Sequence, residues 1–502
     1  MSGSALAARV REALDVDAAE FESRVADEAE HLKRAVHEGT FDNAEAVVGL
    51  EVELYAVDAR TGGLRRMPRS LLELVGFEKE LGLHNAEMQT SPVPLNEHGL
   101  AAQERELEAN LAPAVDRMAR EDLRLVSDGM WTVPPRGETA TEYLRDSIEE
   151  DGVRIATNMT DAVRYHAMAN SDYPAGMRIE APHVSLEADT VMPESLITSI
   201  QPHYQIPRVP DLPEYFRYAL RVAAPLLALG ANSPFFPPDL YDDADDGAVV
   251  EDAWMEHRIG VFEDVLNAPE GPDKVRFPPD FDSVGAAIDA VVEDEAIVPK
   301  TLETGRGFDG AFAHFQHKHG SYWRWVRPVF EGETHSAANA RIEFRPLPAQ
   351  PTVRDAVSFQ AVFAGLMTTL PQVEHPVRGL EWETARENFY AASREGLRAD
   401  VEWVTSGGET TTATDRIYSE LFEAAREGLE RQGLSTEQAR RYIRPLRERA
   451  DRRVTPARWK HDHVAAAVDD GVPLAEAIWG MQSSYVDRQT ETLLDGTLVD
   501  WL

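Results

Sequence analysis

The stretch "VVGLEVELYAVD", residues 47–58, sets Leu50, Val52 and Leu54 in alternation with Glu51 and Glu53. Successive side chains of a β-strand point to opposite faces, so the two glutamates share one face, roughly 6–7 Å apart. The aliphatic residues share the other. Like charges held this close repel each other, and either water with salt or a bound cation must offset them. If an ion does so, this strand is the floor of a site.

Other short runs repeat the pattern. In "NAEMQ" (85–89), Asn85, Glu87 and Gln89 oppose Ala86 and Met88. In "SIQPHYQI" (199–206), Gln201, His203 and Gln205 oppose Ile200, Tyr204 and Ile206. In "ARIEFRPL" (340–347), Arg341, Glu343 and Arg345 oppose Ile342 and Phe344, and "HVSLEA" (183–188) sets His183, Ser185 and Glu187 against Val184 and Leu186. Each apolar side can pack on a core. A merely wetted antiparallel sheet alternates in the same way. Here, however, the polar sides carry Glu, His, Gln, Asn and Arg, where exposed sheets carry Thr, Ser and Lys. Gathered on one sheet they would form a pocket of carboxylates, amides, an imidazole and guanidiniums. Magnesium is held by a few carboxylates together with substrate phosphates, and arginine grips phosphate in a bidentate fork.

Composition narrows the alternatives. The 502 residues carry a formal charge of −38, and arginine supplies nearly all the positive charge, since lysine occurs only at 33, 79, 274, 300, 318 and 460. Diffuse acid with little lysine fits a surface adapted to high salt and disfavours nucleic acid or an anionic membrane as partner. The absence of cysteine excludes disulfides, zinc–thiolate sites and cysteine nucleophiles. The charged N-terminus has no apolar signal region and no run suits a membrane span, so the expectation is a cytoplasmic protein. Neither a P-loop, a G-x-G-x-x-G after a strand, nor a G-x-S-x-G occurs.

Along the chain, residues 5–38 have the period of an amphipathic helix, 97–122 are helical, and "DLPEYFRYALRVAAPLLALGANSPFF" is a helix closed at Gly230 and Asn232. The acidic loop 237–253 is the segment expected to move. Strands are expected near 323–330 and 340–347, and helices from about 352 onward. "TGRGFDG" (304–310) is either a loop closing over phosphates or a plain turn. His314, His317 and His319 are spaced unlike one helix face and fit satisfied surface or loop histidines better than a metal site. Trp323 and Trp325 share a strand face and fit core packing, with adenine stacking as the functional alternative. The predicted class is α+β, a curved, mainly antiparallel sheet with a polar ligand-binding face, backed by helices. Its divisions are an N-terminal helical segment at 1–40, a catalytic domain at 41–375 and a helical C-terminal portion at 376–502.

"VGLEVEL" with "NAEMQT", "SIQPHYQI…APLLALGANSPFF" and "RIEFRPLPAQPTVRDAV" together resemble the glutamate–cysteine ligase family, of the carboxylate–amine ligase type with a glutamine-synthetase-like sheet. The resemblance covers roughly residues 45–370, and the order of the pieces is more specific than any one of them. It implies ATP- and magnesium-dependent ligation, with manganese as the alternative ion. The glutamate γ-carboxyl would be phosphorylated and then attacked by the cysteine amine, giving γ-glutamylcysteine. It further implies that Glu51, Glu53, Glu87, His203 and Glu343 are metal ligands and that Arg345 meets the transferred phosphate. Gln201, Arg327 and Arg341 would join Arg345 in binding ATP or substrate. Arg324 lies near them in sequence and would add positive charge. A different amine acceptor on the same fold, and a two-metal hydrolase using the same carboxylates, are the alternatives. ATP, glutamate and cysteine are the expected partners, and self-association into a homo-oligomer stays open. On this basis Glu51→Gln and Glu343→Gln are both expected to abolish turnover and leave the fold intact.

Overall fold

The computed structural model describes residues 3–502 except 174, 272, 304, 306 and 307. At its centre is a curved antiparallel sheet of eight strands, numbered in chain order: β1 (Val47–Asp58), β2 (Glu78–Lys79), β3 (Asn85–Gln89), β4 (Val93–Pro94), β5 (Leu123–Val126), β6 (Ile200–Gln205), β7 (Val326–Glu331) and β8 (Asn339–Phe344). Six of them run in the order β7-β8-β6-β1-β3-β2, while β4 and β5 flank the two ends of β1. Every pairing is antiparallel.

β1 organises the sheet because it is long enough to serve four partners. Its first half pairs with β6 and its middle with β3, placing Glu51 between Gln201 and Gln89, and Glu53 opposite Glu87. On the far side of β6, Glu343 of β8 lies between His203 and Arg327. Register thus brings residues separated by almost three hundred positions onto one face. Val48, Leu50, Val52 and Leu54 on the other face are buried in a hydrophobic core that runs continuously from Phe21 to Trp501.

The helix Leu212–Gly230 and the helix Val353–Gln372 form that backing layer. Both are buried over most of their circumference, so Leu212–Gly230 is apolar on all sides after Arg221, while Val353–Gln372 buries polar Asp355, Ser358 and Gln360 among its apolar residues. The second also packs against Thr414–Arg431, and there the backbones nearly touch. A methyl group on Gly428 would lie 1.9 Å from the Gly365 carbonyl oxygen, so glycine is required at the crossing.

Several expectations change in detail. The N-terminal helix is two helices, Gly3–Leu14 and Ala18–His37, because Asp17 accepts hydrogen bonds from the amides of Ala19 and Glu20 and caps the second. The run 184–187 does not join the main sheet. It pairs locally with Arg178–Ala181 around a tight turn in which His183 takes a left-handed conformation and bonds Asp252 at 2.9 Å. The acidic loop is pinned at its start and at its middle, where Asp246–Asp252 turns helical. Asp239 accepts from the amides of Ala140 and Thr141, and Asp246 from that of Leu474. His314 and His319 are buried and His317 half-buried, each on a separate partner: Glu28, the Pro328 carbonyl and the Val298 carbonyl respectively. Trp325 is core, with its indole N–H on Glu263. Thr304, Arg306 and Gly307 of the 304–310 stretch lie outside the described residues.

Candidate active site

The polar face opens onto two adjoining cavities that meet at Glu51 and Gln89. The outer one, about 540 Å³, lies over Gly49, His203, Gln205 and Arg341. The inner one, about 300 Å³, is floored by Glu53, Glu87, Gln201 and Arg345. Arg327 also lines the inner cavity and Glu343 lies beneath it, so the nine residues singled out in the sequence surround one continuous space.

Its two halves differ in charge. On the β8 side, the Arg327 Nε lies 3.0 Å from Glu343, and the Arg345 guanidinium donates to the same carboxylate oxygen. Burial alone would raise the Glu343 pKa. Arg327, Arg345 and His203 outweigh it and hold this carboxyl well below the usual range. Arg345 also donates to Gln201 Oε1 at 2.8 Å, which fixes the plane of its fork. His203 accepts from Arg341 Nε at 3.0 Å through Nδ1, so its Nε2 faces Glu51 at 3.3 Å. Arg341 is tied in turn to Glu331 at 2.7 Å.

On the β1–β3 side, among the described residues, no cationic group lies within 4 Å of Glu53, Glu80 or Glu87, and at Glu53 the field of buried Arg258 opposes the other carboxylates. Burial and the neighbouring Glu87 push Glu53 up to about 7, although Ser199 donates to it through both its amide (2.6 Å) and its hydroxyl (2.9 Å). Burial and Glu51 raise Glu87, whose bond from Gln89 at 2.7 Å opposes the rise. Glu80, just past β2, is driven well above the usual range by burial and by its hydrogen bond with Glu87. A group of carboxyls that must stay partly protonated when empty has the chemistry of a cation site. Among the described residues, no three His, Asp or Glu side chains converge into a ready-made ion cage. The donors instead ring a cavity, as suits an ion that arrives with other oxygen ligands such as phosphates.

The structure adds residues that the strand pattern did not reveal. Glu80 was legible in principle, because "EKE" at 78–80 alternates like the other strands. Glu194 sits on the 3₁₀ turn Met192–Leu196 and Arg164 on the short helix Val163–Met168, so neither has a strand period to betray it. Arg258, buried behind the floor, feels Glu53, Glu194 and Arg345; burial lowers its pKa to about 10. Arg324 does not belong here. It is buried against Asp294 at 2.8 Å beside Lys274, with its charge already answered.

The profile of glutamate–cysteine ligase family 2 matches residues 47–490. No curated protein sequence matches the chain. Among solved structures, a glutamate–cysteine ligase from Francisella tularensis in complex with AMP aligns with a TM-score of 0.51 at 13% identity, covering 90% of this chain and 91% of that one. A bifunctional glutathione synthetase from Pasteurella multocida aligns with a TM-score of 0.51 at 14% identity, covering 92% of this chain. The present chain spans 54% of that protein. At these identities the likeness is one of fold.

Proposed function

We propose a function from one fixed premise: this chain belongs to glutamate–cysteine ligase family 2. It is an ATP-dependent carbon–nitrogen ligase. In our reading it phosphorylates the γ-carboxyl of glutamate and passes the acyl group to the amine of cysteine, giving γ-glutamylcysteine. The observation that carries this is the division of the polar face into an arginine-balanced half and a half with unanswered carboxylates.

The outer cavity, the larger of the two, takes the nucleotide, with Arg341 on its wall. Arg345, held in plane by Gln201 and Glu343, and Arg327 beside it meet the phosphoryl group as it moves toward the inner cavity. Phosphoryl transfer asks little covalent chemistry of the protein, and fixed charge at the developing oxygens is its main contribution. A divalent ion, magnesium by its preference for carboxylate and phosphate oxygens, would be held by Glu51, Glu53 and Glu87 and would neutralise charge between ATP and the substrate carboxylate. Glu80 and the Glu343 carboxylate would complete that set, whereas His203, whose Nε2 carries the proton when Nδ1 accepts from Arg341, would orient Glu51 in place of ligating the ion. Such a site also lets a chain of charge −38 bind a polyanion at all.

Phosphate release from ATP tests the reading when measured with glutamate alone, with glutamate plus cysteine, and with glutamate plus other amines. Release that requires glutamate and cysteine together supports it. Release with a different amine keeps the chemistry and changes the acceptor. Hydrolysis of a phosphate ester without ATP would replace the ligase by a two-metal hydrolase.

A further inference from the structure

The inner cavity has a second wall, opposite the sheet, that the phosphoryl-transfer roles leave unused. It presents two charged groups of opposite sign, Glu194 and Arg164. Among the described residues, Glu194 makes no side-chain hydrogen bond and has no cationic group within 4 Å. Arg164 has no carboxylate within 4 Å either. Its guanidinium gives one long bond, 3.4 Å, to the neighbouring Tyr165 hydroxyl and lies over that ring. Most arginines of this acidic chain do have a carboxylate partner, including Arg327, Arg341 and Arg345 in the same site. Burial and Glu53 push Glu194 up to about 7, against the fields of Arg345, Arg258 and, more weakly, Arg164, so a bound ammonium would restore its charge. Glu194 and Arg164 are not within 4 Å of each other, and both line the same cavity.

We infer that Glu194 and Arg164 form a clamp for the zwitterionic head of an α-amino acid, Glu194 taking the α-ammonium and Arg164 the α-carboxylate. A separated pair of opposite charges is the complement of that head group. Bound there, the amino acid replaces the water around each with a charge-assisted hydrogen bond. The walls alongside, Met168, Phe262, Leu266 and Trp323, are apolar and suit the carbon chain. The inference deepens the ligase reading and rests on it for the identity of the molecule. Both the donor glutamate and the acceptor amino acid carry this head, and the assay separates them.

Glu194→Gln and Arg164→Gln are each compared with the parent protein, ATP saturating, varying glutamate and cysteine in turn. Each variant should raise the KM of one and the same amino acid by about 10- to 100-fold, the span of a charge-assisted hydrogen bond, while the KM for ATP stays within twofold. A rise in the glutamate KM assigns the clamp to the donor, and a rise in the cysteine KM to the acceptor. The double variant should lose less than the product of the two, because both grip one molecule. Calorimetric titration of glutamate and of cysteine into protein loaded with a non-hydrolysable ATP analogue and magnesium gives a readout independent of turnover. If an amino acid binds there and both variants abolish it, the clamp stands even where no ligation occurs. Unchanged KM values and binding for both amino acids, or variants that affect different amino acids, overturn it. Glu194→Asp and Arg164→Lys serve as folded controls, with partial loss expected.

Discussion

Strand β1 carries two buried polar clusters on a single face, and they behave in opposite ways. Glu51 and Glu53 open onto the cavities, where burial and neighbouring carboxylates raise Glu53, Glu80 and Glu87. Two residues further along the same face, Tyr55 is sealed under the C-terminal helices. There Asp128 accepts from Lys460, from Tyr55 at 3.3 Å and from Gln482 at 2.9 Å, while Lys460 also donates to the Asn232 carbonyl at 2.8 Å. Close by, Arg449 pairs with Asp355 at 2.9 Å and donates to Gln350. The second cluster is charge-balanced and holds the turn after helix Leu212–Gly230 to the C-terminal portion. The first is unbalanced and retains the energy of that imbalance for a ligand. A buried ionic group is therefore structural or functional according to whether its neighbours complete it, and position on the strand does not decide the matter.

The contrast is tested most severely by Arg345→Lys. A point charge cannot reproduce the fork held between Gln201 and Glu343, so ATP turnover should fall by about 10²-fold or more. Steady-state phosphate release checks this, and near-normal turnover removes Arg345 from the phosphate role. Next is Lys460→Met, which leaves Asp128 buried without its cation and should cost about 3–5 kcal/mol of stability in denaturant titration. A loss below about 1 kcal/mol would mean that the cluster is not the anchor described. Glu343→Gln belongs with Lys460→Met as much as with the site. It strands two buried guanidiniums, so instability is expected alongside the loss of turnover, contrary to the simple sequence expectation.

Glu53→Gln should do the reverse, abolishing turnover while raising the stability of the ion-free protein at pH 8 by about 1–2 kcal/mol. The sign follows from proton binding. Between the ordinary carboxyl value of 4.5 and about 7, the folded protein holds a proton on Glu53 that the unfolded chain releases. Stability from this group is therefore full below 4.5, falls as pH rises through 7, and is flat in the variant. Unfolding curves at pH 5 and pH 8 show it; a slope unchanged by the substitution would sink the claim. The smallest effect expected is a rise of about 1–3 °C in Tm on adding magnesium with an ATP analogue at pH 8, lost in Glu53→Gln.

The polar face was legible because a strand's period of two is short and strict. Glu51, Glu53, Glu87, Gln201, His203, Glu343 and Arg345 can all be found by counting alternate residues. Glu194, Arg164 and Arg258 could not, since a 3₁₀ turn and helix ends carry no such period, and only the fold turns them toward the cavity. Arg324 shows the converse error. Nearness in sequence to Arg327 suggested a shared role, but the preceding turn sends it into the buried pair with Asp294.

By itself, the order of residues determined which side chains share a face of each strand, because backbone geometry fixes that locally. It also determined the chain's net charge and the absence of thiol chemistry. Tertiary structure alone decided which carboxylates are answered by a cation and which are left exposed to one another. That depends on groups brought within a few ångströms across hundreds of residues, where a low dielectric makes each missing partner count.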